Sequence, residues 1–189
     1  LPTWYEIRVN GAGHVARSLH YDLMVAMNQA TWDQDIAEVR SGGFVLYDSS
    51  GIDDLSSRRD DVTFLGVPIA QISLENFKKP RERVLLANII YAGAIAALIG
   101  IDTNIAKELL AETFAKNEAL KESNQRAFMM GYDYATSHFA CPLPFSLSPM
   151  NENQNAVLID GNTAVALGCL YAGATVVGWY PITPATGVM

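Results

Sequence analysis

The residue whose setting most invites a chemical role is Thr183, in the stretch GWYPITPATGVM. Pro181 and Pro184 flank it. Each proline fixes its own φ and pushes the residue before it toward extended backbone, so the Thr183 hydroxyl is held in a narrow range of directions. A hydroxyl aimed in this way can donate to a carboxylate or phosphate oxygen. The preceding ATVVGWY reads as a short strand, and ligands of open α/β sheets sit outside the carboxyl ends of the strands. The same residues also suit a proline-rich strand exit that binds nothing. Their spacing alone leaves both readings open.

Other chemistry-bearing residues are less well placed. Gly11 to Ala16, GAGHVA, match a GxGxxA dinucleotide fingerprint, and Asp33 and Asp35 lie about twenty residues on, where a ribose-binding acid belongs. That fingerprint needs a helix to start at the glycines. Here YEIRV and HVARS both read as extended, so a hairpin turn is the expectation. The two cysteines, Cys141 and Cys169, and the three histidines, His14, His20 and His138, have no cluster or zinc spacing. His138 could act as a general base, against the plainer reading of a locally bonded loop histidine. Trp32, Trp179, Tyr132 and Tyr134 could stack on a cofactor ring, with core packing the commoner role. The acidic loop DSSGIDDLSSRRDD lacks the ligand order of an EF-hand and reads as a solvated loop.

These residues must be positioned by a chain of 189 residues, half of them hydrophobic and 17% charged, which suits a packed core. A formal charge of −7 argues against nucleic-acid binding, which needs a basic face. Sparse, unpaired cysteines fit a reducing, cytoplasmic setting. The first residue is Leu1 and no secretory signal is visible, so a fragment is expected.

Along the chain, TWYEIRV alternates like a strand, and extended character resumes up to YDLMVAM. Trp32, Ile36 and Val39 fall at helical spacing, with Gly42 and Gly43 as the expected helix stop and Arg40 in the last turn. GFVLYDSS and DVTFLGVPIA are short apolar runs, as in buried parallel strands, and complete a βαβ rhythm. Val84 to Ile101 carries no charge and reaches membrane-spanning length, but Ala, Gly and Asn88 favour a helix buried in a soluble core over a membrane anchor. Asp102 is set to cap the next helix, with Ile105, Leu109 and Leu110 inward and Lys107 and Glu108 outward. A further helix is expected from about Glu118 to Tyr134. SHFACPLPFSLSPMNENQNA, with three prolines, reads as a linker or a packed surface loop.

Taken together, Gly161, Asn162, Ala164, Ala166, Leu167 and Gly168, followed by Tyr180, Pro181, Ile182, Thr183, Pro184 and Ala185, resemble the opening of the pyrimidine-binding domain in the α part of 2-oxoacid:ferredoxin oxidoreductases. NIIYAGAIAALIGID and FAKNEALKESNQRAFMMGYDYA resemble the second half of that family's γ domain. The order γ then α is similar to the fused α subunits. The resemblance implies an α/β fold: a Rossmann-like γ domain over 1–136, incomplete at its N-terminus, a linker over 137–155, and the truncated start of a thiamine-diphosphate-binding α/β domain over 156–189.

It also implies oxidative decarboxylation of a 2-oxoacid to an acyl-CoA, with electrons passed to ferredoxin. Thr183 would bind the substrate carboxylate beside the thiamine, with Tyr180, Pro181 and Ile182 around it. Coenzyme A would be a substrate held near the γ domain, through residues the resemblance does not identify. Thiamine diphosphate and Mg2+ would be shared with a β subunit, and [4Fe-4S] clusters would sit on a partner. The assembly would be a dimer of αβ units, in the cytoplasm and off the membrane. This chain would supply no catalytic or metal-ligating residue and be inactive alone. The family's Gly-rich loop and thiamine-activating acid would lie before Leu1 and after Met189, and Gly187 replaces a commonly polar residue. The competing reading is a non-catalytic Rossmann-like ligand-binding or interaction subunit.

Overall fold

The computed structural model describes residues 3–14, 16–52, 55, 58–151 and 155–188. Val15 of GAGHVA, Asp53, Asp54, Ser56 and Ser57 of the acidic loop, residues 152–154 of the proline-rich stretch, and the end residues Leu1, Pro2 and Met189 lie outside this set. Two compact units are present, Leu1–Ser148 and Pro149–Met189.

The first unit is built on a parallel sheet of β1 (Tyr21–Ala26), β2 (Val39–Asp48) and β3 (Thr63–Val67), in that order. Strand alternation sends its side chains to two cores. Val45 and Tyr47 join Trp32, Ile36 and Val39 under α1 (Trp32–Ala37). Leu46, Leu65 and Val67 pack on the other face, in one core with residues of α2 (Ile69–Asn76), α3 (Pro80–Ile99) and α5 (Glu118–His138). Burial on both faces is what parallel strands require, and it explains why these runs carry little charge.

α3 is the one described helix long and apolar enough to cross a membrane, and it lies at the centre of this core. Ile90, Ala94 and Leu98 are fully buried. Its partner is α5, and the two backbones meet at glycines. A Cβ on Gly93 would stand 1.9 Å from the Phe128 carbonyl oxygen, and one on Gly131 would stand 1.9 Å from that of Ile90. α3 ends at Gly100, in the left-handed conformation, with the Ile101 N–H bonded to the Ala96 oxygen at 2.8 Å. The proline-rich stretch then folds back on this end. Leu143 N–H donates to the Leu98 oxygen (2.7 Å) and Leu147 N–H to the Ile99 oxygen (2.8 Å), filling carbonyls that a helix end leaves open.

Four expectations are corrected. Gly42 and Gly43 do not stop a helix: α1 ends at Ala37 and β2 runs through both glycines. They form an irregularity in β2, which pairs Val39 with Tyr21 but Phe44 with Leu23. Gly42 has φ 74°, and a Cβ on Gly43 would lie 2.6 Å from Val39 Cγ1. TWYEIRV joins no described strand, and no hairpin forms around it. Its anchor is polar instead: Trp4 Nε1 donates to the buried Asp35 carboxylate at 2.7 Å. Ile105 and Leu109 point outward on α4 (Thr103–Thr113), 54% and 62% exposed, because that helix packs mainly on α5 with its other face. Ala174 to Tyr180 also joins no described ladder, since a strand needs neighbours to form one.

In the second unit, α6 (Gly161–Tyr171) starts at Asp160 and stops at Gly173, with φ 83°. Asp160 accepts from the Thr163 N–H at 3.0 Å and from its hydroxyl at 2.7 Å. Those bonds hold the Asp160 carboxyl below its ordinary value.

Candidate functional site

The Thr183 segment folds into two successive turns. Ile182 N–H donates back to the Tyr180 oxygen (2.8 Å) around Pro181, and Ala185 N–H donates to the Ile182 oxygen (2.9 Å) around Thr183 and Pro184. The Thr183–Pro184 peptide is cis. Tyr180, Pro181, Ile182 and Thr183 are all exposed, Tyr180 at 75% and Ile182 at 60%. Among the described residues the Thr183 hydroxyl has no hydrogen-bond partner, which leaves its donor available to a ligand.

Two side chains hold this turn. Asn162, in the first turn of α6, donates through Nδ2 to the Pro184 oxygen at 2.9 Å. Trp179 donates through Nε1 to the Ala185 oxygen at 3.3 Å. Sequence reasoning placed neither: Asn162 stood out only within a helix pattern, and Trp179 only as an aromatic. Their roles depend on a fold-back of 22 and 6 residues that no local spacing reports. Between Gly161 and Val188 there is no charged side chain. The site therefore has hydroxyl, amide and apolar surface, which fits the neutral wall of an anion or carboxylate pocket and does not fit a metal–diphosphate cradle.

In the first unit, the carboxyl ends of the strands are closed by the chain's own acceptors. Asp48 accepts from Ser50 N–H (2.9 Å) and Ala70 N–H (3.1 Å), and Ser50 Oγ accepts from Gln71 N–H (3.0 Å). The amides at the head of α2 thus already have partners. Tyr91 lies near this edge, and burial first and the Asp48 charge second raise its phenol well above the ordinary value. GAGH makes a turn closed by Asn10, whose Oδ1 accepts from the Ala12 and His14 N–H groups at 3.0 Å, and no helix starts there among the described residues. The dinucleotide fingerprint is therefore unsupported.

His138 ends α5, stacked on Tyr134 with ring centroids 3.9 Å apart and Nδ1 2.8 Å from the Tyr134 oxygen, a local arrangement. Trp32 lies in the core under α1, Tyr132 and Tyr134 are half-buried against the other core, and Trp179 is 41% exposed. No cluster of metal-ligating side chains occurs among the described residues.

A parallel sheet covered by helices on both faces, followed by a capped helix and a proline turn, defines a Rossmann-like α/β protein carrying a second small unit. The chain belongs to the pyruvate ferredoxin/flavodoxin oxidoreductase family, whose model matches residues 1–134. It is 32% identical, over 68% of its length, to the α subunit of 2-oxoacid:ferredoxin oxidoreductase 1 from Sulfurisphaera tokodaii, and covers 20% of that protein. It is 25% identical to the 2-oxoglutarate oxidoreductase subunit KorA of Mycobacterium tuberculosis, over 89% of this chain and 29% of the other. Among solved structures, 2-oxoglutarate:ferredoxin oxidoreductase from Magnetococcus marinus, with 2-oxoglutarate, coenzyme A and succinyl-CoA bound, matches with a TM-score of 0.75 and 29% identity. That match covers 89% of this chain and 29% of the other. The chain thus spans about a fifth to a third of the length of these relatives.

Proposed function

We propose that this chain is part of the α subunit of a thiamine-dependent 2-oxoacid:ferredoxin oxidoreductase, which decarboxylates a 2-oxoacid oxidatively to an acyl-CoA and passes the electrons to ferredoxin. The observation that carries this reading is the Magnetococcus match, which covers 89% of the chain. In that frame the first unit is the γ-type domain and the second begins the thiamine domain. Thiamine diphosphate, when bound, supplies the nucleophilic carbon and the electron sink for loss of carbon dioxide. Magnesium and diphosphate would be held by a β subunit; residues 161–188 offer no charged side chain toward them. The [4Fe-4S] clusters likewise belong to a partner, in a cytoplasmic dimer of αβ units.

Within this reading, Thr183 donates its hydroxyl to the substrate carboxylate and so orients the 2-oxo carbon toward the cofactor. Tyr180 and Ile182 furnish apolar surface beside it that excludes water. The neutral donor suits a group that must leave as carbon dioxide, since it holds the carboxylate without the stronger ground-state grip of an arginine.

The test is steady-state kinetics of the complete enzyme, followed as 2-oxoacid- and CoA-dependent reduction of ferredoxin or a viologen. Thr183→Val is expected to lower kcat/KM by about ten- to a hundred-fold, the worth of a hydrogen bond to a charged group. Thr183→Ser, which keeps the hydroxyl, should retain most of it. Near-wild-type kinetics in the valine variant would remove Thr183 from the site.

A further inference from the structure

We infer that Asn162 is a positioning residue for the Thr183 turn, and that Gly187 is small so that the Asn162 amide can reach the Pro184 carbonyl. This rests on the reading of Thr183 as the carboxylate donor. The Asn162 Nδ2–Pro184 oxygen bond, at 2.9 Å, ties the first turn of α6 to the residue directly after Thr183. Asp160 fixes that first turn in place by accepting from both the N–H and the hydroxyl of Thr163. Trp179 secures the far side through the Ala185 oxygen. Thr183 is therefore framed by bonds to the carbonyls of the two residues that follow it, while its own hydroxyl stays unbonded.

Gly187 closes the arrangement. It lies in the short 3-10 turn Ala185–Val188, and a Cβ at that position would stand 2.9 Å from Asn162 Nδ2 and 3.6 Å from Asn162 Cβ. A methyl group there is accommodated only if the asparagine amide moves, and that amide is the one bonded to Pro184. The pair Asn162–Gly187 thus works as a unit, in which the absent side chain at 187 makes room for the donor at 162. An acceptor-only side chain at 162 cannot replace it, because the Pro184 carbonyl needs a donor.

The experiment uses the complete enzyme with Asn162→Ala, Asn162→Asp, Gly187→Ala, Thr183→Val and the double variant Asn162→Ala/Thr183→Val. Asn162→Ala and Asn162→Asp are expected to raise KM for the 2-oxoacid about ten-fold, and Gly187→Ala to raise it in the same direction, each with KM for coenzyme A unchanged. In the Thr183→Val background, Asn162→Ala should add little, because the group it positions is gone. Full additivity, or a parallel loss in KM for both substrates that tracks a fall in Tm, would show a merely structural role and overturn the inference. Wild-type KM in Asn162→Ala alongside an impaired Thr183→Val would likewise overturn it while leaving the Thr183 role intact. A wild-type Thr183→Val would instead remove the reading on which it rests.

Discussion

Asp61 shows how a single exposed residue ties a loop to the sheet. Arg59 donates to both Asp61 oxygens, at 2.8 and 2.6 Å, and also to the carbonyl oxygens of Ile36 and Val39, at 2.9 and 2.8 Å. The Arg59 hydrogen bonds draw the Asp61 carboxyl from its ordinary 3.8 to about 2. A folded-state value below the unfolded one contributes stability that is present above the unfolded pKa and lost as pH falls through the folded one. Acid unfolding followed by circular dichroism should therefore steepen between about pH 4 and pH 2, and Asp61→Asn should flatten that part of the profile. Asp160 is depressed in the same direction by Thr163, so the α6 start weakens on the acid side too. At this scale the sequence was partly legible. Asp102 was readable as a cap, and it does accept from the Asn104 N–H at 2.8 Å. Arg59 was not, since its two carbonyl partners lie 23 and 20 residues away.

The crossing of α3 and α5 is the element-scale feature with the clearest consequence. Ala127, Gly131 and Ala135 line one face of α5, against Ile90, Gly93, Ala94 and Ala97 of α3. Alanine exceeds glycine in helix propensity by about 1 kcal/mol, so Gly93→Ala or Gly131→Ala would stabilise a free helix. Here the added methyl meets a carbonyl oxygen at 1.9 Å, in backbone that cannot rotate away. Overpacking wins, and each variant is expected to lose about 1–3 kcal/mol, read as a lower urea midpoint at unchanged m. The uncharged run from Val84 on, which makes up most of α3, pointed to its burial from sequence, but not to the reason for its glycines. The Gly42–Gly43 pair marks the reverse case. Glycine after a helical run is a fair stop signal, yet β2 pairs with β1 at Val39 and with β1 and β3 from Phe44 on, so these residues fall as an irregularity inside a strand, and tertiary pairing on either side outranks a local terminator.

At the scale of the whole chain, chemistry and scaffold are unequally represented. No metal-ligating cluster occurs among the described residues, and residues 161–188, which include the Thr183 turn, carry no charged side chain. The chain purified alone should show no 2-oxoacid-dependent viologen reduction, and none should appear on adding thiamine diphosphate, Mg2+ and coenzyme A. Turnover by the isolated chain would contradict the proposed division of labour with a β subunit. The sequence by itself determined the α/β class, the burial of α3, the parallel character of the apolar strands and the proline frame of Thr183. Each follows from local periodicity or fixed backbone angles, which act within a few residues. Tertiary structure alone decided the strand that passes through Gly42 and Gly43, the Trp4 anchor on Asp35, and the contact of α3 with α5 at Gly93 and Gly131. It also decided which side chains hold the Thr183 turn. These depend on residues distant in sequence meeting at hydrogen-bond or van der Waals range, and that proximity is created only when the chain folds.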